Sequence, residues 1–146
     1  MKRLNVYSQY HFDMEMLKNG WKDGIPENVA VISICNVNDP EMTHFYKDNA
    51  PNILNIDFND CGEGEEGALD IDTAGIITDF IDMNIGKDFY IHCQAGRSRS
   101  QGVARYILDM FPEHEYKTRI NNPCTTPNYH VVAMLKRTRF YIDEGA

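Results

Sequence analysis

The chain has 146 residues, enough for one domain (1–146) with a buried core, and its 42% hydrophobic and 25% charged residues are ordinary for a globular protein. Its net charge of −8 runs against the basic surface that phosphate-backbone contacts require, so nucleic acid is not an expected partner. No apolar run approaches membrane-spanning length and no signal-type stretch follows the first basic residues, so a cytoplasmic protein with no membrane partner is expected.

Residues 3–8 ("RLNVYS") and 29–35 ("VAVISIC") are rich in β-branched residues and predict two strands. Residues 53–58 ("ILNIDF") alternate apolar and polar and predict a third. A glycine-rich acidic loop without periodicity follows at 59–72. Its Gly62, Gly64 and Gly67 spell G-x-G-x-x-G, but Glu63, Glu65 and Glu66 stand where a dinucleotide's pyrophosphate would sit, so a mobile loop is the expectation. Over 72–86 the residues Ile76, Ile77, Phe80 and Ile81 share a helical face, with Asp72 placed to cap its start and Gly86 its end. Residues 88–93 ("DFYIHC") predict a fourth strand, apolar enough to be covered on both faces. Two helices complete the chain. The first carries Val103, Ala104, Ile107, Leu108 and Phe111 on its apolar stripe, and the second carries Val131, Met134, Leu135 and Ile142, with Lys136, Arg137 and Arg139 mostly outward. Strands that alternate with helices predict an α/β fold with a small, mostly parallel central sheet flanked by helices.

None of the four cysteines has CxxC spacing, so no metal site is expected, and no cofactor is implied. Cys35 reads as a buried hydrophobe, and Cys61 and Cys124 as buried or idle thiols, with a redox role as the lesser alternative. Cys93 is different. It ends a strand, and Gln94, Ala95, Gly96, Arg97 and Ser98 then lead at once into a helix. Unpaired N–H groups and the dipole at that helix start form a cradle for an anion. Gly96 lets the backbone adopt a conformation closed to other residues, and Arg99 offers a planar fork for two phosphate oxygens. The same charges stabilise a Cys93 thiolate, which makes it a nucleophile beneath a bound phosphate.

The stretch His92-Cys93-Gln94-Ala95-Gly96-Arg97-Ser98-Arg99-Ser100 resembles the H-C-x-x-G-x-x-R-[S/T] signature of the cysteine-dependent protein tyrosine phosphatases, above all the compact dual-specificity branch with its bacterial and phage-type members. The resemblance is specific over about 53–111. It implies a dual-specificity-like phosphatase fold and a metal-independent phosphoric monoester hydrolase that works through a phosphocysteine intermediate. It also implies an upstream aspartic acid as general acid. Asp60, at the mouth of the third strand, is favoured, and Asp57, within the strand's alternation, is the alternative. By the same resemblance Ser100 assists departure of the thiolate, His92 orders the loop, residues 94–99 bind phosphate, and Pro127-Asn128 matches a feature before the last helix. Arg97 is expected to face outward.

The function expected is hydrolysis of phosphotyrosine, and of phosphoserine or phosphothreonine as a further possibility, on phosphorylated protein substrates by a monomer. Phosphoinositide or RNA 5′-phosphatase activity is the alternative within the enzymes, disfavoured because Arg97 is the loop's one extra cation. A non-catalytic phosphotyrosine-binding module and rhodanese-like sulfur transfer are the readings outside that class.

Overall fold

The computed structural model describes residues 2–121 and 126–145, with side chains described as far as residue 139. Among the described residues, five strands form one sheet: β1 (Arg3–Ser8), β2 (Val29–Cys35), β3 (Ile53–Asp57), β4 (Asp88–Cys93) and β5 (Lys117–Ile120). Their order across the sheet is β3-β2-β4-β1-β5, and every pairing is parallel. Four α-helices of the described residues accompany them: α1 (Gln9–Lys18), α2 (Ile71–Asn84), α3 (Arg99–Met110) and α4 (Tyr129–Gly145). The architecture is therefore α/β with a fully parallel sheet rather than a mostly parallel one.

Each inner strand is apolar on both faces because each face is covered. On one face Leu4, Val6, Ile32, Ile34 and Ile91 pack against Ala74, Ile77 and Ile81 of α2, Val103 and Ile107 of α3, and Val131 and Leu135 of α4. On the other face Tyr7, Val31 and Ile53 meet Phe12 and Met16 of α1 together with Tyr46. No helix of the described residues is long and apolar enough to cross a membrane.

Four details depart from the sequence reading, and each has a local cause. The fifth strand is an edge strand paired only with β1, and its "KTRI" residues are mostly exposed, so it shows no apolar run. Helix α1 was not anticipated, because it buries only Phe12 and Met16 while Tyr10, Met14 and Leu17 stay exposed. Helix α2 is capped by Asp70, whose carboxylate accepts from the Thr73 N–H at 2.8 Å, not by Asp72. Ile76 is exposed beside the buried Ile77, Phe80 and Ile81, whereas Gly86 ends the helix as expected, in the left-handed region at φ +95° just past it, its N–H donated to the Tyr116 hydroxyl. In α4, Arg139 is not simply outward. It donates to the Tyr106 hydroxyl and to Asp82, and its guanidinium lies over the Phe111 ring. Ile142 and Cys124 lie outside the described side chains.

The parallel topology brings the ends of β1, β2, β3 and β4 to one edge. Ser8 is level with Cys93, and Cys35 with Asp57. In open parallel sheets this carboxyl edge is where ligands bind.

Candidate active site

Cys93 is the last residue of β4, and its thiol is 2% exposed at the floor of an open cleft of about 550 Å³. Loop residues Gln94, Ala95, Arg97, Ser98 and Arg99 line that cleft, as do residues 36–40 after β2 and Asn59 and Asp60 after β3. The loop turns tightly because Gly96 sits at φ +66°. The glycine is demanded by the sheet as much as by any ligand: a Cβ there would lie 2.5 Å from the Ser8 amide nitrogen and the Tyr7 carbonyl carbon. The loop's carbonyls are tied outward, Gly96 O to the Gln101 side chain at 3.0 Å and Ser98 O to the Asn128 N–H at 3.0 Å. Gln9 N–H holds Gln94 O at 3.1 Å, which docks the loop to the start of α1.

Helix α3 begins at Arg99 with Ser98 as its N-cap residue. Ser100, in the first turn, does not cap it. Its hydroxyl lies 3.1 Å from Cys93 Sγ instead. Burial pushes the Cys93 thiol up, but the Ser100 hydroxyl and N–H, Arg99 and the Ser98 N–H together bring it below the ordinary thiol value. The thiolate is thus stabilised relative to that of an ordinary thiol although the sulfur is nearly inaccessible, an arrangement packing alone does not require.

Arg99 is 3% exposed. One terminal nitrogen donates to the Phe58 carbonyl at 2.7 Å, while its Nε is buried and has no partner among the described residues. A buried donor left unpaired costs about 1–3 kcal/mol. An anion in the cleft that Arg99 lines is the partner its chemistry fits. Arg97, by contrast, is exposed, yet it borders the same cleft at the rim.

The two candidate acids have different surroundings. Asp60 borders the cleft with Cys93, and its carboxylate accepts from Asn128 Nδ2 at 2.8 Å. Asn128 also reaches the Cys61 carbonyl and caps α4 by accepting from the Val131 N–H. One residue therefore joins the loop after β4, the loop after β3 and the last helix. Asp57 lines neighbouring clefts instead and pairs with His44 Nε2 at 2.7 Å. The 59–72 loop is closed on itself rather than irregular. Asn59 N–H bonds Gly67 O at 2.7 Å and Asn59 Oδ1 accepts from the Val37 N–H. Gly67, at φ +78°, leaves room for the Asn59 side chain, so the G-x-G-x-x-G glycines serve turn geometry.

His92 is fully buried and neutral, its imidazole lowered to about 4 chiefly by burial. Its Nδ1 lies 3.2 Å from the Cys93 carbonyl oxygen and its Nε2 lies 2.6 Å from the Ser33 hydroxyl. Ser33 and His44, which extend that contact, carry no sequence signature: the register of β2 against β4 sets Ser33 beside His92, and the β2–β3 connection brings His44 to Ser33.

Among the described residues, Cys35, His44 and Asp57 approach within 4.8 Å of one another. Both ring nitrogens of His44 already have hydrogen-bond partners, and burial with the Asp57 charge pushes the Cys35 thiol up to about 12. The trio is a hydrogen-bonded cluster. Cys35, Cys61 and Cys93 are free thiols, and burial together with Glu65 raises Cys61 above its ordinary value.

No protein-family model and no curated protein matches the chain. What the site can do must be argued from its own residues.

Proposed function

We propose that the chain is a metal-independent, cysteine-dependent phosphatase of the compact dual-specificity type, acting on phosphotyrosine and related phosphomonoesters of proteins. One observation carries the reading: a buried thiol held toward its thiolate lines the same cleft as a buried arginine with an unpaired Nε.

In the first step Cys93 Sγ attacks phosphorus. An S–P bond forms as the bond to the leaving oxygen breaks, and Asp60 delivers its proton to that oxygen. Arg99 and the loop N–H groups hold the other phosphate oxygens, whose charge they neutralise as it redistributes. In the second step Asp60 takes a proton from water, the water oxygen bonds phosphorus, and the S–P bond breaks. The departing thiolate accepts from the Ser100 hydroxyl, 3.1 Å away, and inorganic phosphate leaves. Proteins are the substrates favoured because the cleft's cations are few: Arg97 and Arg99 stand against Asp39 and Asp60 in the lining of a chain of net charge −8.

The test is a kinetic comparison across phosphotyrosine and phosphothreonine peptides, a phosphoinositide and an RNA 5′-phosphate. Peptide turnover that is lost in Cys93→Ser supports the proposal. Preference for the phosphoinositide or the RNA end moves the substrate class, and peptide binding without turnover makes the chain a binding module.

A further inference from the structure

The hydrogen bonds of His92 continue away from the cleft as an unbroken chain to the surface. From the Ser33 hydroxyl, 2.6 Å from His92 Nε2, the next link is His44 Nδ1 at 2.7 Å, and His44 Nε2 then meets Asp57 Oδ1 at 2.7 Å. The far end is 53% exposed at the Asp57 side chain, while Ser33 and His92 are buried.

We propose that Ser33, His44 and Asp57 are positioning residues that fix His92 in its Nδ1-protonated tautomer and thereby hold the Cys93 carbonyl, and the nucleophile with it, in place beside Arg99. The role in catalysis rests on the phosphatase reading, but the tautomer does not.

Counting protons leads to this arrangement. The two ends of the chain, a carbonyl and a carboxylate, only accept, so four links need four protons. Neutral His92, Ser33 and neutral His44 bring three. A fourth fits only where an imidazole donates from both nitrogens, and of the two rings His44 is the one that is partly exposed and touches a carboxylate, whereas His92 is buried. With His44 doubly protonated every link has one direction. His44 Nε2–H donates to Asp57 and Nδ1–H to Ser33. The Ser33 hydroxyl donates to His92 Nε2, and His92 Nδ1–H donates to the Cys93 carbonyl.

Removing one proton from His44 reverses the middle of the chain. His44 Nδ1 becomes an acceptor and draws the Ser33 hydroxyl. The Cys35 thiol, 3.4 Å from the same nitrogen, is the weaker donor and loses that competition. Ser33 then accepts from His92 Nε2–H, which leaves His92 Nδ1 with a lone pair facing the Cys93 carbonyl oxygen. The charged groups around His44 are Asp57 on β3, Asp39 on the 36–40 segment, and Lys47 and Asp48 on its own connection. Arg99 acts on His92 from α3, and Asp13 of α1 acts on Cys35.

The test is nitrogen-15 NMR of the imidazoles in the full chain as pH rises. The expected result is an Nδ1-protonated His92 while His44 carries both protons, with the His92 tautomer changing in step with the titration of His44. Asp57→Asn should move both transitions together, Ser33→Ala should uncouple them, and Cys35→Ala should leave them coupled. On an aryl phosphate, Asp57→Asn should lower kcat about tenfold with KM little changed, while Asp57→Glu retains it. An Nε2-protonated His92 throughout, or a tautomer that ignores His44, overturns the proposal. Should Ser33→Ala not fold, the wild-type and Asp57→Asn spectra decide. Coupled tautomers in a chain without hydrolytic activity refute the proposed reaction alone, and hydrolysis with uncoupled tautomers refutes the relay alone.

Discussion

Replacing Gly96 by alanine probes how the sheet shapes the loop after β4, which the proposed reaction makes the anion cradle. Two costs follow from the structure. At φ +66° an alanine occupies the left-handed region, a penalty of about 1–2 kcal/mol. Its Cβ would also lie 2.5 Å from Ser8 N and Tyr7 C, about 1 Å inside an ordinary contact of roughly 3.5 Å. Those atoms belong to the backbone of β1, which is bonded on both sides, so they cannot yield as a side-chain tip would. Overpacking of this kind costs about 1–3 kcal/mol, which brings the sum to about 2–5 kcal/mol. Total stability is about 5–15 kcal/mol and the urea slope is about 1–3 kcal/mol per molar for a domain of this kind, so Gly96→Ala should still fold with its midpoint lowered by about 1–2 M. The loop relieves the clash by lifting off β1, which moves the anion cradle away from Cys93 and Arg99 and should cut kcat/KM about a hundredfold. Gly75→Ala is the control: it has open space within α2 and should gain about 0.5–1 kcal/mol with activity unchanged. A Gly96→Ala protein with wild-type midpoint and activity would refute the argument.

Three further outcomes follow from the same geometry. Ser100→Ala removes a hydrogen bond to the thiolate, so the rise of iodoacetamide alkylation at Cys93 should move to higher pH and hydrolysis of the intermediate should slow. An unmoved alkylation profile would deny Ser100 that part. Asp60→Asn should lower kcat about a hundredfold with little change in KM and remove the alkaline fall of the pH–rate profile, whereas an unaltered kcat would return the role to another carboxylate. His92 titrates near 6.5 when unfolded but at about 4 when folded, so the unfolded chain binds the extra proton first. Its contribution is present above pH 6.5 and lost as pH falls toward 4, which urea midpoints measured across that window should register.

The legible parts of the sequence were those in which one contiguous segment carried its own explanation. Strands β1, β2 and β4 showed as apolar runs because both faces are buried, and the Cys93–Ser100 stretch showed because strand, loop and helix start are consecutive. Strand β5 did not, since an exposed edge strand needs no apolar pattern and takes its identity from β1 alone. The cap of α2 is Asp70 rather than the expected Asp72, since either carboxylate suits that position and only the backbone distinguishes them. The sequence favours Asp60, at the mouth of the third strand, over Asp57 within its alternation. In the structure their partners differ: His44, carried in by the β2–β3 connection, pairs with Asp57, while Asn128, just before α4, reaches Asp60. The Ser33–His92 link was equally hidden, for it depends on the register of β2 against β4, and the Ser33–His44 link on the fold of the β2–β3 connection.

The central claim is that Cys93 takes the phosphoryl group from substrate. Rapid acid quench during turnover of a phosphotyrosine peptide, followed by mass spectrometry of the Cys93-containing fragment, tests it directly. A phosphoryl adduct on Cys93 that accumulates in Ser100→Ala and is lost in Cys93→Ser is the expected result. Turnover with no adduct on Cys93, or undiminished turnover in Cys93→Ser, would contradict it.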